Sequence, residues 1–261
     1  MKDLFLKTGF ALAAIALLGA GCSTFDGKKG EKRTQIVAKY TAKPVTLDGT
    51  LNDKAWATAP AYQLEVSDTA YDNLPEKTRK IVGTKLREPG EFKLLWDKDY
   101  LYIGIKYTDS EVIAEGEKDQ MHHYTLGDVA EVFIKPENET YYWELYVTPT
   151  RKKTAFFIPG RGTRISEDPK QIMDIKVAAS VQGTLNNWQD KDQSWTGVMA
   201  IPIKGLEKYG AKFGQGQKWT VFVARYNYSR YLPVKELSAF PHQEKTNYHT
   251  LEDYGQLILE K

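Results

Sequence analysis

"GDVAEVFI", residues 127–134, is a short apolar segment with a single carboxylate, Glu131, near its centre. In an extended chain, successive side chains point to opposite faces, so Glu131 shares a face with Val129 and Phe133. Burying a carboxylate between two large apolar neighbours is costly unless a partner satisfies it. The segment therefore predicts a buried strand in which Glu131 is a catalytic acid, a ligand-binding group or one half of a structural ion pair.

Similar segments, rich in aromatic and β-branched residues, recur along the chain between clusters of Gly, Pro, Asn and Asp. This pattern is typical of short strands joined by turns, and it predicts an all-β, antiparallel β-sandwich or barrel. The predicted strands span residues 35–40, 92–97, 100–109, 129–135, 141–147, 154–159, 175–183, 195–203, 218–228 and 255–260. There is no sustained helical period, and only "IKGLEKYG", residues 203–210, predicts one or two helical turns.

Two other predicted strands carry charged residues among apolar ones. In "YYWELYV", Glu144 lies between two tyrosines on one face, and in "WTVFVARYNY", Arg225 follows Val221 and Val223 on one face. If these strands are neighbours in one sheet, we expect Glu131, Glu144 and Arg225 to converge, with Arg225 paired to a carboxylate. Such an array is either a structural ion pair that fixes strand register or part of a binding site.

The first twenty-two residues predict a bacterial lipoprotein signal peptide. Lys2 and Lys7 precede an apolar run that is too short to span a bilayer and that ends at Cys22. The small residues before Cys22 resemble a lipobox, in which the cysteine receives the lipid. Because Cys22 is the only cysteine, the exported domain contains no disulfide. Ser23 follows it instead of aspartate, which by resemblance implies an outer-membrane lipoprotein of the cell envelope, facing the periplasm or the surface.

We predict three parts of the chain: the signal peptide with its lipidated cysteine at 1–22, a polar tether at 23–34 and one sandwich domain at 35–261. The basic run in the tether is expected to be solvated. Elsewhere acids and bases are mixed and the net charge is only +2, which argues against nucleic-acid binding. The predicted membrane partner is contacted through the lipid anchor alone.

An ordered set of motifs resembles family 9 carbohydrate-binding modules. The motifs run in family order from about residue 35 to residue 260: "VTLDGTLNDKAW", "LLWDKDYLYIGIKYTD", "GDVAEVFI", "YYWELYVTP", "SWTGVMAIPI", "WTVFVARYNY" and "YGQLIL". The resemblance implies a jelly-roll-like β-sandwich that binds a saccharide without catalysis and supports glycan capture, with a glycosidase as an expected partner. It implies no required cofactor.

The family clamps a terminal sugar between two aromatic rings, usually tryptophans. One ring precedes the strand of Glu131; Thr125 occupies that place here, and the nearest aromatic residue is Tyr124. The other ring precedes the last strand, and its closest match is Phe240. The charged and amide side chains supply an acceptor, a forked donor and an amide group for sugar hydroxyls. The predicted ligand-binding residues are Tyr124, Glu131, Arg225, Asn227 and Phe240, with Tyr231 and Tyr248 as further aromatic candidates.

Three aspartates at predicted turns or strand ends are candidate metal ligands. Asp48, Asp109 and Asp128 carry the hard oxygen atoms that calcium prefers, and some relatives of the family bind calcium. The alternative is that these carboxylates cap turns.

Three alternatives to sugar binding follow from the sequence. "MHHY", residues 121–124, is either a surface loop or, as the resemblance implies because distant relatives of this sandwich carry haem, a source of axial haem ligands for electron transfer from Met121, His122 or His123. Glu131 and Glu144 on adjacent strands are a carboxylate pair of the kind a glycoside hydrolase needs, although non-catalytic binding is the main prediction. The third alternative is a structural envelope protein without a ligand. Trp188 is either an exposed loop residue or a second sugar platform. Four tryptophans are expected in the core: Trp56, Trp96, Trp143 and Trp219.

Overall fold

The computed structural model describes residues 33–261. The strands of this part are β1 (Gln35–Tyr40), β2 (Tyr62–Gln63), β3 (Gly90–Trp96), β4 (Tyr100–Thr108), β5 (Val129–Pro136), β6 (Tyr142–Val147), β7 (Lys153–Ile158), β8 (Lys176–Gln182), β9 (Ser194–Pro202), β10 (Trp219–Asn227), β11 (Glu236–Phe240) and β12 (Gly255–Glu260). The helices are α1 (Glu76–Val82) and α2 (Ile203–Leu206), with short 3-10 turns at Lys54–Thr58, His123–Thr125, Pro169–Gln171, Glu207–Tyr209 and Leu251–Asp253. The predicted signal peptide, including Cys22, lies outside the described residues.

Every predicted strand is present, and residues 203–210 contain α2 and the 3-10 turn that follows it. The elements that the sequence did not predict are β2, β11 and α1. β2 has two residues, and the seven residues of α1 are too few to establish a helical period. None of the helices in residues 33–261 is long and apolar enough to cross a bilayer.

The strands form one continuous path in the order β7-β6-β5-β10-β12-β1-β3-β4-β9-β8, with β11 added to β10 and β2 added to β3. β10 pairs with two strands along one of its edges: Trp219–Val221 pairs with β12, and Val223–Asn227 pairs with β11. The path folds over itself into a nearly closed, barrel-like sandwich. The jelly-roll connectivity implied by the family resemblance stays a prediction.

The prediction of a purely antiparallel sandwich is wrong at β1. This strand runs parallel to both of its neighbours, β12 and β3, whereas the other strand pairs are antiparallel. A short hairpin turn forces its two strands to be antiparallel, as it does for β3 and β4. β1 is joined to β3 by residues 41–89, and it is the first strand, so no hairpin dictates its direction.

The core lies between the β5, β6 and β10 side of the sandwich and the β3, β4 and β9 side. The aliphatic face predicted for "GDVAEVFI" points into it: Ala130, Val132 and Ile134 are fully buried. We call this side of β5, β6 and β10 the inner face and the opposite side the outer face. Each fully buried aliphatic side chain of valine or isoleucine size contributes roughly 1.5–3 kcal/mol, so this alternation fixes the register of β5.

The four tryptophans expected in the core, Trp56, Trp96, Trp143 and Trp219, are all buried, which confirms that prediction. Trp56 lies in the first 3-10 turn, whose Asp53 cap accepts from the backbone N–H of Ala55. Its ring lies over Gly104 of β4, where a Cβ atom would be only 2.8 Å from the ring. The absence of a side chain at Gly104 therefore allows the 3-10 turn to pack directly on the sheet.

Candidate functional site

Gly127 and Asp128 set the start of β5 and hence the position of Glu131. Gly127 has φ of 133°, and a Cβ atom there would lie 2.3 Å from the carbonyl oxygen of Ile113. The buried Asp128 carboxylate accepts from the backbone N–H of Ile113 at 2.7 Å and from that of Tyr228 at 2.8 Å. The Gly-Asp pair thus joins three segments of chain at one end of the strand, and the rest of the motif follows in fixed register.

Strand register places two carboxyl groups on the outer face. Glu131 lies opposite Tyr146 of β6 and Ala224 of β10, and Glu144 lies opposite Phe133 of β5. Residues directly opposite each other in neighbouring strands share a face. The sequence prediction that Glu131 and Glu144 converge is therefore confirmed.

A cleft of about 700 Å³ covers this part of the outer face. Its floor comes from β5, β6, β7 and β10, and its walls come from the segments around residues 122–124, 161–165 and 246–249. The lining residues are His122, Tyr124, Glu131, Phe133, Tyr142, Glu144, Ile158, Arg161, Gly162, Thr163, Ile165, Tyr226, Leu237, Thr246, Asn247, Tyr248 and His249. We call it the outer cleft.

The two carboxyl groups of the outer cleft are deeply buried. Glu131 is 2% exposed and Glu144 is 5% exposed, and the Oε1 atom of Glu131 has no hydrogen-bond partner among the described residues. The Tyr146 hydroxyl donates to Glu144 Oε1. Burial, followed by the neighbouring Glu144, raises the pKa of Glu131 well above its usual value. Burial also raises the pKa of Glu144 to about 7, against the opposing effect of the Tyr146 hydrogen bond.

Aromatic rings surround these carboxyl groups. The rings of Tyr124 and Tyr226 are 5.4 Å apart, and that of Phe133 is 6.3 Å from Tyr248. Tyr124, predicted as a ligand-binding ring, does line the outer cleft, as does Tyr248. Thr125 is exposed and donates its hydroxyl proton to the carbonyl of His122. The structure therefore presents the tyrosine to the cleft, as the sequence predicted; its contact with a ligand stays a prediction.

Polar groups form the rim of the outer cleft. The Nδ1 atom of His249 is 2.9 Å from the Tyr142 hydroxyl, and its Nε2 atom is 3.9 Å from Glu144. Burial lowers the pKa of His249. Arg161 donates to both carboxylate oxygens of Glu252, at 2.6 and 2.7 Å. The charge of Arg161 is thus compensated outside the carboxyl pair.

The prediction that Arg225 partners Glu131 is wrong. Ala224 is the residue that opposes Glu131, so the next residue, Arg225, points to the inner face. There its guanidinium contacts Asp109 at 3.0 Å and donates to the carbonyl of Thr108 at 2.9 Å. The expected pairing with a carboxylate is confirmed, but with Asp109.

Asn227 is also on the inner face, so the structure does not place it in the outer cleft as predicted. Its side-chain amide donates to Glu88 Oε2 at 2.7 Å, and the Arg225 guanidinium donates to the Glu88 carbonyl at 3.0 Å. Glu88 Oε1 also accepts from the backbone N–H of Ser110 at 3.1 Å. We call Glu88, Asp109, Arg225 and Asn227 the inner network.

Phe240 does not line the outer cleft, and its predicted pairing with Tyr124 around one sugar is not supported by the structure. It ends β11 opposite Val223, so its side chain shares the inner face. Its ring centroid is 5.2 Å from that of Tyr62 and 5.8 Å from that of Phe92. The sequence places "SAFP" in a loop, and the unpredicted strand β11 is the reason for the error. Tyr231 lies in an exposed loop beneath the Arg230 guanidinium, away from the cleft.

The three predicted calcium ligands each interact with different partners. Asp48 accepts from the backbone and the hydroxyl of Thr50, which is the turn cap given as the alternative. Asp109 pairs with Arg225, and Asp128 accepts backbone N–H groups. Residues 33–261 contain no group of three or more His, Cys, Asp or Glu side chains placed to hold a metal ion. These carboxylates face hydrogen-bond donors, so the arrangement around them does not fit a calcium ion.

The predicted histidine pair is divided between two environments. His122 lines the outer cleft, 4.8 Å from the Phe156 ring. His123 is buried against Gly116, where a Cβ atom would lie 2.4 Å from its ring. Burial lowers the pKa of His123. The backbone carbonyl of Met121 accepts a hydrogen bond from the Thr154 hydroxyl. The structure therefore does not direct these side chains at one common haem site.

Several cleft residues were not predicted from the sequence. They are Tyr142, Tyr226, Asn247, His249 and Arg161. Strand alternation is the sequence signal that locates the floor residues. The aliphatic faces of these strands form the core, and the opposite faces, which carry tyrosines and glutamates, form the cleft floor. Arg225 lies on the aliphatic face of β10, together with Val221 and Val223, so the alternation itself separates it from Glu131. The wall residues belong to loops, whose positions this alternation does not determine.

Comparison with known families gives a match over most of the chain. The profile of the family described as carbohydrate family 9 binding domain-like matches residues 47–261. A search of curated proteins found no significant match.

Solved structures with a similar fold were found. A candidate carbohydrate-binding protein from Bacteroides uniformis has a TM-score of 0.65 and 14% identity, covering 88% of this chain and 100% of that one. A family 9 carbohydrate-binding module from Caldicellulosiruptor kristjanssonii in complex with cellotriose has a TM-score of 0.57 and 13% identity, covering 87% and 94%. The structure described as its complex with glucose has a TM-score of 0.54 and 13% identity, covering 87% and 96%. At these identities the likeness shows a shared fold.

Proposed function

This chain belongs to the carbohydrate family 9 binding domain-like family, and from that premise we propose that its outer cleft binds a saccharide without transforming it. The observation that carries the proposal is the combination of an aromatic floor with a buried carboxyl group, Glu131, whose Oε1 atom has no partner among the described residues. A cleft of about 700 Å³ is large enough for a small oligosaccharide.

The chemistry of the lining suits a sugar. The C–H faces of a pyranose pack on tyrosine rings such as those of Tyr124 and Tyr226, and its hydroxyl groups need fixed donors and acceptors. Glu131 provides an unused acceptor, and the Asn247 amide provides both a donor and an acceptor. Because β5 and β10 already hold Glu131 and Tyr226 in place, binding does not have to order these two side chains. No cofactor is required for this mode of binding.

The ligands of the structural relatives indicate what to test first. The Caldicellulosiruptor modules were solved with cellotriose and with glucose. Their ligands support glucose-based oligosaccharides as the starting point for this chain. Calorimetric titration of the purified protein with cellotriose and a broader glycan array should detect binding that Tyr124→Ala weakens. A blank array and a blank titration would overturn the proposal.

We also propose that lipidation at Cys22 anchors the protein to the outer membrane of the cell envelope, where it supports glycan capture beside a partner glycosidase. The support is the sequence pattern that ends at Cys22. Labelling cells with a clickable fatty acid should tag the wild type and not Cys22→Ser. Label on the variant, or its absence from the wild type, would contradict the proposed anchor.

The carboxyl pair favours a second candidate, a glycoside hydrolase, because Glu131 and Glu144 face the same cleft. Incubation with oligosaccharides followed by product chromatography distinguishes the two. The binding proposal expects no turnover. Turnover that is abolished by Glu131→Gln while binding persists would establish catalysis instead.

A further inference from the structure

The outer cleft contains two buried carboxyl groups that no arginine or lysine of the described residues pairs with. Among the described residues, the guanidinium on its rim, Arg161, is held by Glu252, and Arg225 is on the other side of the sheet with Asp109. The other titratable groups that line the cleft are His122, His249 and tyrosines, and the Lys235 ammonium, which does not line it, lies 5.0 Å from the Tyr226 ring centroid. Glu131 forms no salt bridge in residues 33–261, and Glu144 has only the His249 contact at 3.9 Å.

One carboxyl oxygen in the outer cleft lacks a hydrogen-bond donor. Glu131 is 2% exposed and lines the cleft, and no donor within residues 33–261 reaches its Oε1 atom. Leaving a buried acceptor unsatisfied is unfavourable, and more so for a charged group. A ligand hydroxyl would satisfy the hydrogen bond, whereas a cationic donor would also compensate the charge that the carboxyl groups acquire when they ionise.

The surrounding rings favour the same kind of group. The faces of tyrosine rings attract an ammonium group, and this attraction strengthens when the cation is desolvated. Tyr146 lies 6.5 Å from Tyr124, which is itself 5.4 Å from Tyr226. Tyr124 and Tyr226 line the outer cleft together with Glu131 and Glu144.

We propose that the saccharide bound in the outer cleft is an amino sugar, whose protonated amine lies between Glu131 and Glu144 and whose ring packs on the neighbouring tyrosines. This inference rests on the proposed saccharide-binding function and specifies its ligand class. The ammonium supplies the hydrogen bonds and the positive charge that residues 33–261 do not supply at this point.

One consequence is a release of protons on binding. Burial raises the pKa values of both glutamates, so the unliganded cleft retains protons near neutral pH. A cation beside a carboxyl group favours its ionised form. Binding of an amino sugar therefore releases protons, whereas binding of a neutral sugar does not.

The experiment compares matched ligands on the intact protein. Calorimetry at about pH 6, where the amine is protonated, is done with a glucosamine trimer, an N-acetylglucosamine trimer, cellotriose and methylammonium. Two buffers of different ionisation enthalpy report proton release. We expect the glucosamine trimer to bind about 10- to 100-fold more tightly than the neutral trimers and methylammonium, with protons released.

The outcomes separate this inference from the proposed function. Neutral trimers that bind as tightly as the glucosamine trimer would overturn the amino-sugar inference and leave saccharide binding intact. No binding of any trimer would overturn both. Methylammonium that binds as tightly as the glucosamine trimer would overturn the amino-sugar inference, because the cleft would then recognise an ammonium group without the sugar.

Isosteric variants test whether the preference for the glucosamine trimer depends on the two glutamates. Glu131→Gln combined with Glu144→Gln should reduce the preference for the glucosamine trimer to about twofold and abolish proton release. Glu76→Gln, an exposed glutamate in α1, is the matched control and should keep both. A double variant that folds, as judged by its thermal transition, and keeps the full preference would overturn the assignment.

Discussion

The two faces of β5, β6 and β10 differ in how their buried ionisable side chains are paired. On the inner face, Arg225 is paired with Asp109, and Glu88 accepts from Ser110 and Asn227. On the outer face, Glu131 has an oxygen without a partner among the described residues. Both sets of groups are almost fully buried. On the inner face, Arg225 Nε and Asn227 Oδ1 also lack a partner among the described residues. The difference is therefore in charge pairing, and neither burial nor hydrogen-bond satisfaction alone distinguishes the two faces.

This contrast separates a structural network from a binding site. A network whose cation is paired with a carboxylate holds strands and loops together without a ligand. An unsatisfied acceptor on a cleft floor lowers the stability of the free protein and becomes favourable when a ligand satisfies it. If the contrast holds, the inner network stabilises the fold and the outer cleft binds a ligand.

The largest effect is expected from Arg225→Ala. Removing the guanidinium leaves the Asp109 carboxylate buried beside the core, and we expect the free energy of unfolding to fall by about 3–5 kcal/mol. Urea unfolding followed by tryptophan fluorescence measures this. Arg161→Ala is the control, because its pair with Glu252 is exposed and should contribute about 0–1 kcal/mol. Equal, small losses in both variants would show that the inner network is not structural.

The next effect is the pH dependence that the outer cleft imposes on stability. A carboxyl group whose pKa is raised in the folded state contributes stability that is complete below the unfolded pKa and is lost as pH rises through the folded pKa. For Glu144 the window runs from 4.5 to about 7. Across it, we expect the free energy of unfolding to fall by about 3 kcal/mol because of this group.

Urea titrations at several pH values in this window test the sign of that slope. The double variant Glu131→Gln with Glu144→Gln should reduce it and be more stable than the wild type at the alkaline end. Part of the slope should remain, because burial also raises the pKa of Asp109 to about 7. Glu76→Gln, an exposed substitution, should leave the slope unchanged. A wild-type slope that the double variant retains would assign the pH dependence to other groups.

The sequence predicted the sandwich and half of the site for the same physical reason. Alternation along β5 and β6 assigns Glu131 and Glu144 to the face opposite the aliphatic one, and the structure confirms this. The same alternation applies to Arg225, but its charge suggested a pairing with Glu131 that the register forbids. The prediction for Phe240 is wrong because β11, a strand without clear alternation, is predicted as a loop from the sequence. The wall loops depend on long-range contacts that strand periodicity does not encode.

A third prediction compares two aromatic residues, one for each face. Tyr124→Ala should weaken binding of the best saccharide ligand by about 1–2 kcal/mol without unfolding the domain, because its ring lines the outer cleft. Phe240→Ala should leave affinity unchanged and lower stability by about 1–2 kcal/mol, because its half-buried ring packs on Tyr62 and Phe92. Calorimetry and urea unfolding of both variants measure these effects. If Phe240→Ala weakens binding as much as Tyr124→Ala, the cleft is not the binding site.

The smallest effect is expected at Trp188, which is 72% exposed. Its loop is anchored through Asn186, whose side chain accepts from the Ala114 N–H at 2.8 Å and donates to the Ala114 carbonyl at 3.0 Å. Because these anchors do not involve the indole, Trp188→Ala should change stability by less than about 0.5 kcal/mol. Since Trp188 does not line the outer cleft, affinity for short saccharides should also stay the same.

Chain length decides between the two interpretations of this tryptophan. An exposed loop residue leaves affinity unchanged for every ligand length. A second sugar platform would instead weaken binding of long oligosaccharides in Trp188→Ala while leaving trimers unaffected, since a trimer occupies the outer cleft alone. Titration of the wild type and the variant with a length series therefore tests whether recognition is confined to the cleft. A loss that appears only with the longest ligands would extend the binding surface beyond the unsatisfied carboxyl group to a site that requires no buried charge.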